Sequence, residues 1–446
     1  RIAGMRINPA NNAASRRAYY NGLILQNLRD GRERPINGLP ANPRIDSLSW
    51  SPDGLHLAFI LDRGTHIELW TADVASGQAR PLLDTPVNAI FGQPYSWLSD
   101  SETLLVKSIP ENRGPAPIRP LVPTGPIIEE SSGRPAAART YQDLMVNSHD
   151  EDLFDHYGAV QLLLVSLDGS SSNLSEPGLV RRASSSPDGE YFLVEVIHRP
   201  FSYLVPNQRF PRRFEVLNTR GDLAWQLADL PLAEEVPIGR GAVPTGPRSV
   251  NWRADAGATL YWVEARDGGD PRADVDIRDV VLAMEAPFTG EPEEIIALEM
   301  RYAGITWGNG NLALVSENWW SSRQIRTWMV APDAASPGKA LLFERSSEDR
   351  YNDPGSPVLV ANAYGRYNLL LDDDNGAIYL QGQGASAEGD RPFLDRLELA
   401  NKTSERLWQS TAPTYATFIS FLDEERRSVL IRRESPSTPG NYFRLA

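Results

Sequence analysis

Cysteine is absent from this chain of 446 residues. That removes disulfides, thiolate metal ligands and a cysteine nucleophile together, and it leaves the redox character of the compartment open. Histidine is nearly as rare, with five residues at 56, 66, 149, 156 and 198. Lysine is scarce, arginine supplies most of the positive charge, and the formal net charge is −14. That balance argues against a nucleic-acid partner, because phosphate binding needs clustered cations. No apolar run approaches the ~18 residues of a membrane-spanning helix, so no membrane partner is expected. The chain starts at Arg1 with no signal-peptide core, and targeting is not legible from it. A hydrophobic content of 41% rules out a disordered chain. The length exceeds one ordinary core, which leaves two or three domains or a single repeat array.

Repetition decides between them. Ser51-Pro52-Asp53-Gly54 and Ser186-Pro187-Asp188-Gly189 are the same turn, each beside alternating apolar residues. From Ile45 to Leu83 the chain reads as four short strands with turn chemistry between them, which is one propeller blade. Further anchors follow at Tyr95–Asp100, Asn251–Asp255, Ile305–Gly310, Ala361–Gly365 and Phe418–Asp423. Seven anchors at roughly 45–70 residue spacing predict an all-β, seven-bladed β-propeller over residues 1–446. Residues 1–44, with a strand near Tyr20–Leu28, are expected to join the last blade and close the ring, removing its exposed sheet edges. One interval is too long. Residues 108–158 form an insertion carrying prolines at 110, 115, 117, 120, 123 and 126, followed by Thr140-Tyr141-Gln142-Asp143. That tetrad resembles a helix cap, and Leu144, Met145, Leu153, Phe154 and Tyr157 at helical spacing predict a short helix or two.

Chemistry is harder to find. A serine hydrolase needs a Gly-x-Ser-x-Gly elbow between strand and helix. The nearest approach, Gly384-Ala385-Ser386-Ala387-Glu388-Gly389, is off by one and is read as a loop, so no catalytic residue is assigned. Asp372-Asp373-Asp374-Asn375-Gly376 has consecutive rather than alternate acids, which fits a hairpin turn better than a calcium loop. No metal or cofactor is expected. His149 and His156 flank Asp150-Glu151-Asp152, read as a solvated helix surface. Tryptophans 252, 262, 307, 319, 320 and 328 serve either as sheet-to-sheet packing or as a ligand platform. Arg199, Arg209 and Arg323 are the candidate substrate-binding residues, since guanidiniums near a propeller's channel or face can fork onto a carboxylate; the plain alternative is pairing with the protein's own acids.

The order of short motifs resembles the propeller of glutamyl endopeptidases, serine peptidases of the prolyl oligopeptidase family. The resemblance runs from Arg1–Pro9 through Trp50–Gly54, Glu68-Leu69-Trp70, Pro123–Pro126 and Thr140–Leu144. It continues through His198–Tyr203, Trp262–Ala265, Asp267–Asp270, Ser346–Asp349, Asp353–Pro357, Pro392–Asp395 and Glu434-Ser435-Pro436 to Asn441-Tyr442-Phe443. It implies an α/β-hydrolase domain carrying a Ser, Asp and His triad as partner, a peptide or unfolded protein as substrate, and a bacterial or chloroplast setting. Nothing in this sequence matches the triad motifs, and the chain stops about where the crossover to that domain would begin. The leading expectation is therefore a non-catalytic, substrate-gating propeller, inactive alone, with an unusually large exposed apolar patch where the hydrolase domain docks. A stand-alone binding propeller is the alternative. An enzyme with its site in the channel is a third, and it needs a ligand set that the sequence does not offer.

Overall fold

The computed structural model describes residues 1–121 and 141–445. Short apolar runs between polar turns build seven antiparallel sheets in chain order, the seven-bladed β-propeller that the repeat predicted. Blade one is Ile45–Trp50, His56–Asp62, Ile67–Asp73 and Gln78–Pro81, hydrogen-bonded in that order. Blades two to five begin with Tyr95–Trp97, Leu179–Ser185, Arg248–Trp252 and Arg301–Asn309 and each have four strands. Blade six is Ser356–Pro357, Ala377–Gly382, Phe393–Glu398 and Ser404–Gln409. Blade seven has three strands: Tyr415–Phe421, Val429–Ser435 and Thr438–Leu445.

The turn chemistry is local and repeated. His56 N donates to Ser51 Oγ at 2.9 Å, and that hydroxyl donates to Asp53 Oδ1 at 2.5 Å. Tyr191 N, Ser186 Oγ and Asp188 Oδ1 reproduce the arrangement at 3.0 and 2.6 Å. Gly54 and Gly189 close the two turns at φ 72° and 80°, where a Cβ would be strained. All first strands run the same way, so these turns lie on one face of the ring, here the lower face. Connections between second and third strands, and between blades, lie on the upper face.

The first six sheets bury both faces. In blade one Ala58, Ile60, Ile67 and Leu69 pack on Trp97, Leu104 and Val106 of blade two. Comparable clusters join blades two and three, three and four, four and five, five and six, and six and seven. Each fully buried Leu, Val or Phe in these layers contributes about 1.5–3 kcal/mol. The seventh junction differs. The other face of blade one, with Leu57, Phe59, Leu61 and Trp70, is covered by Leu23, Leu25, Ile36 and Leu39 of the N-terminal segment. The expected closing strand is present only as Ile24–Gln26, and it pairs with Glu33–Pro35 rather than with the last sheet. Apolar cover for blade one is what that segment supplies, so its strand edge is spent on its own hairpin. Thr417, Arg432 and Tyr442, in register across blade seven, give the face of that sheet turned away from blade six a polar character. Leu48, Trp50 and Ile419 on the first strands of blades one and seven stay exposed.

The insertion interrupts blade two between Thr103–Ser108 and Gln161–Ser166, which still pair along their length. Residues 109–121 contain no helix or strand; Pro123, Pro126 and Thr140 fall outside the described residues. Among the described residues of the insertion one helix forms, α1 (Ser148–Gly158), and its cap is Asn147, whose side chain accepts from Asp150 N at 3.1 Å. The start therefore lies later than the Thr140–Asp143 tetrad suggested. Asp143 has φ 59°, which is not helical, and Leu144 and Met145 precede the first turn.

Candidate functional site

The lower mouth of the ring carries a feature that the blade pattern conceals. In blade six the connection between first and second strands is not a tight turn. It is an extra hairpin, Leu359–Ala361 paired with Tyr367–Leu369, where Ala361–Gly365 was expected to be an ordinary blade anchor. Its tip reaches across the ring. Asn362 Nδ2 donates to Ala254 O of blade four at 2.7 Å, and Arg366 Nη2 donates to Ser185 O and Oγ of blade three, both at 2.9 Å. Asn368 Nδ2 donates to Gly308 O of blade five at 3.1 Å. Gly365 lies against blade one so closely that a Cβ there would be 2.6 Å from Pro52 Cβ. Blades six and three are three positions apart, the largest separation in a ring of seven, so a chord between them passes by the axis. Among the described residues Arg366 has only carbonyl and hydroxyl partners, and burial lowers its pKa. Its Nε is buried without a partner. Sequence reasoning missed the hairpin because alternation reads alike in a blade strand and in a hairpin arm.

The three candidate arginines all lie in upper-face loops, but the structure does not bring them into one site. Arg199 is held by Glu151 and by Asp155 (2.7 Å) on one side of α1, and stacks on Phe201 at 4.6 Å. The acidic stretch of α1 is thus partly a clamp for Arg199 rather than simply solvated. Arg209 donates to the carbonyls of Ala233, Val236 and Pro237, bracing the loop between blades three and four. Arg199 and Arg209 flank the same aromatic cluster, in which Phe154 meets Phe201 and Phe210 edge-on at 5.1 and 5.7 Å. Arg323 is on blade five, pairs with Glu348 at 3.0 Å and lies 3.8 Å from the Trp320 ring centroid.

Two further charged features were not singled out from the sequence as sites. Between blades four and five, Arg301 donates to Asp267 (2.7 Å), Asp279 (2.9 Å) and Gly241 O (2.7 Å). Arg278 and Arg248 complete it on Asp267 and Asp279. Lys107 is the opposite case. It is 8% exposed and has no carboxylate partner among the described residues. Burial, and then the charge of Arg181, push its pKa down to about 8. The unfolded lysine, near pKa 10.4, binds more protons than the folded one between those values, so stability rises as pH climbs from about 8 toward 10. Lys107→Met is expected to stabilise the ring by about 1–3 kcal/mol at pH 7, and less at pH 10, because it removes an unpaired buried ammonium. Thermal midpoints at the two pH values decide; equal gaps at both would refute the assignment.

Other candidates resolve into structure. Ser386 Oγ donates to Gly389 O at 2.7 Å inside a loop, with no helix following. Asp372 Oδ1 accepts from Gly376 N and Ala377 N, with Asn375 at φ 56°, as a hairpin turn requires. Among the described residues no group of three or more His, Asp or Glu is placed to hold a metal. Trp262 and Trp307 are buried between sheets and Trp252 and Trp328 partly so, while Trp320 remains 48% exposed.

No family model matches the chain. Over 99% of its length it is 40% identical to a protein of Oryza sativa subsp. japonica named as a probable chloroplastic glutamyl endopeptidase. Over 97% it is 40% identical to the Arabidopsis thaliana protein of the same name. The chain spans about half the length of these curated relatives, 50% and 47% respectively. Among solved structures, the β-propeller domain of the Trilobed protease from Pyrococcus furiosus is 9% identical. It covers 90% of this chain and 92% of that one with a TM-score of 0.41.

Proposed function

We propose that this chain, 40% identical over nearly its whole length to two probable glutamyl endopeptidases and spanning about half of each, is the non-catalytic, access-controlling ring of such a peptidase. The partner is an α/β-hydrolase domain bearing the serine triad, and the substrates are peptides and unfolded segments. The observation that carries this reading is the hairpin Leu359–Leu369, pinned to four other blades across the lower mouth. A strap held mainly by a few side-chain hydrogen bonds to backbone carbonyls, each contributing about 0.5–1.5 kcal/mol, narrows the opening without sealing it permanently. Leu359, Val360 and Tyr367 on the hairpin are exposed, as are Trp50 and Leu55 of blade one, whose Pro52 meets the hairpin tip. In this reading these exposed side chains contribute to the surface on which a second domain would sit.

The test uses a fluorogenic peptide with Glu before the scissile bond and a folded protein substrate. The chain alone is expected to be silent, and addition of a separately produced hydrolase domain to give cleavage of the peptide but little of the folded protein. Asn362→Ala with Arg366→Ala should raise cleavage of longer substrates by about 10-fold, the scale of one or two lost hydrogen bonds. Activity from the chain alone would mean an unrecognised nucleophile. A hydrolase domain whose rate and size preference ignore the ring would leave a stand-alone binding propeller.

A further inference from the structure

Between blades two and three the charges do not balance. Lys107 lies near the end of Thr103–Ser108, two residues beyond Leu105. It therefore points with Leu105 into the layer where Leu105 and Leu162 meet Val180, Phe192 and Val194 of blade three. Across that layer Arg181 occupies a β-bulge, where the register of Leu179–Ser185 shifts between Val180 and Arg182. Arg181 Nη1 donates to both oxygens of Glu195, at 3.0 and 3.1 Å, and Arg212 Nη1 reaches the same carboxylate at 3.3 Å. Glu195 is buried, and Arg212 Nε is buried with no partner. One carboxylate thus serves two guanidiniums. None is left for Lys107, whose ammonium has no hydrogen bond or ion pair among the described residues. Burial, and then the charge of Arg181, lower the Lys107 pKa, so Arg181 is the cation that it feels. Three cations face one acid here, in a chain whose formal net charge is −14.

We propose that Lys107 and Arg181 hold a chloride ion between blades two and three. The ion accepts from the ammonium and from the Arg181 nitrogens that Glu195 does not engage, and it supplies the negative charge that the side chains here lack. Burial selects the ligand class. Lys107 is 8% exposed among packed aliphatic side chains, so the ligand is no larger than about a water molecule; a peptide side chain or a phosphate would have to part the two sheets. The strand that carries Lys107 leads into the insertion and pairs with Gln161–Ser166 where the chain returns. An ion at Lys107 braces the root of the insertion against blade three. This role is separate from access control and requires no hydrolase domain.

The test is the thermal midpoint of the full chain as chloride replaces gluconate at constant ionic strength, with chlorine NMR line widths as the direct readout of binding. Chloride is expected to raise the wild-type midpoint along a saturating curve, by about 3 °C once it exceeds its dissociation constant about 100-fold. The protein should broaden the chloride line, and sulfate should not displace the bound ion. Lys107→Met is expected to fold in either salt, with a higher midpoint than the wild type in gluconate, no chloride-dependent rise and no excess broadening. Its advantage over the wild type therefore shrinks as chloride is added, a convergence that a merely destabilised variant cannot give. Arg181→Gln should raise the chloride concentration at half-effect about 10-fold or more. A midpoint that depends on ionic strength alone, a chloride response kept by Lys107→Met, or displacement of the ion by sulfate would overturn the proposal.

Discussion

Replacing Arg301 with alanine is expected to cost about 3–5 kcal/mol of folding stability, the range for breaking a buried ion pair from one side. Asp267 and Asp279 have fully buried side chains, and Arg301 is the group that bridges them. Its loss also strips a donor from the Gly241 carbonyl. Arg301→Lys should rescue little, since one ammonium cannot fork two carboxylates. Burial by itself would raise the Asp267 carboxyl. The hydrogen bonds and charges of Arg301 and Arg278, with the Gly269 amide, outweigh that and hold it below the usual range. A depressed folded pKa contributes stability that is present above the unfolded value near 4 and is lost as pH falls through the folded one. Urea midpoints of the wild type and Arg301→Ala should therefore differ most above about pH 4 and converge in stronger acid. An unchanged midpoint at pH 7 would remove the network from the account of stability.

Phe154→Ala is the second large expectation, at about 3–5 kcal/mol for an aromatic deleted from a closed site. Phe154 is fully buried, and its ring is met edge-on by Phe91, Phe201 and Phe210. The same cluster holds Ile2, Ala3 and Met145, so the loss falls on α1 and the N-terminal segment rather than on the blades. Hydrogen exchange should show residues 2–7 and 145–158 losing protection while Leu312–Trp319 of blade five keeps its own. Uniform loss across all blades would mean that the insertion and the ring unfold as one unit, against this reading.

Where the chemistry is local, the sequence was readable. Ser51 and Ser186 make their turns with atoms two and five residues away, so the blade repeat and its count follow from short windows. The insertion's position followed from a broken spacing. Partner choice is not local, and there the reading failed. Ile24–Gln26 carries a strand pattern whichever sheet it joins, and only the apolar face of blade one decides that it stays beside that blade. The arms of the Leu359–Leu369 hairpin alternate as any blade strand does. Arg323 was singled out beside its tryptophans, but Arg240 lies in a loop with no motif, about 80 residues away in sequence. What joins them is the Trp320 ring, which both guanidiniums approach and which no spacing rule records.

Six junctions of the ring are joined by buried apolar clusters, and blades seven and one present a polar sheet face and a segment-covered one. That asymmetry gives the ring a direction of failure. A strip of seven sheets packed side by side is held least where its ends meet, because that junction lacks the apolar cluster the other six have. Pulled from its C-terminal end, the chain should surrender blade seven first and then unzip in order toward blade one, as a zip opens from its slider and not from the middle of its teeth.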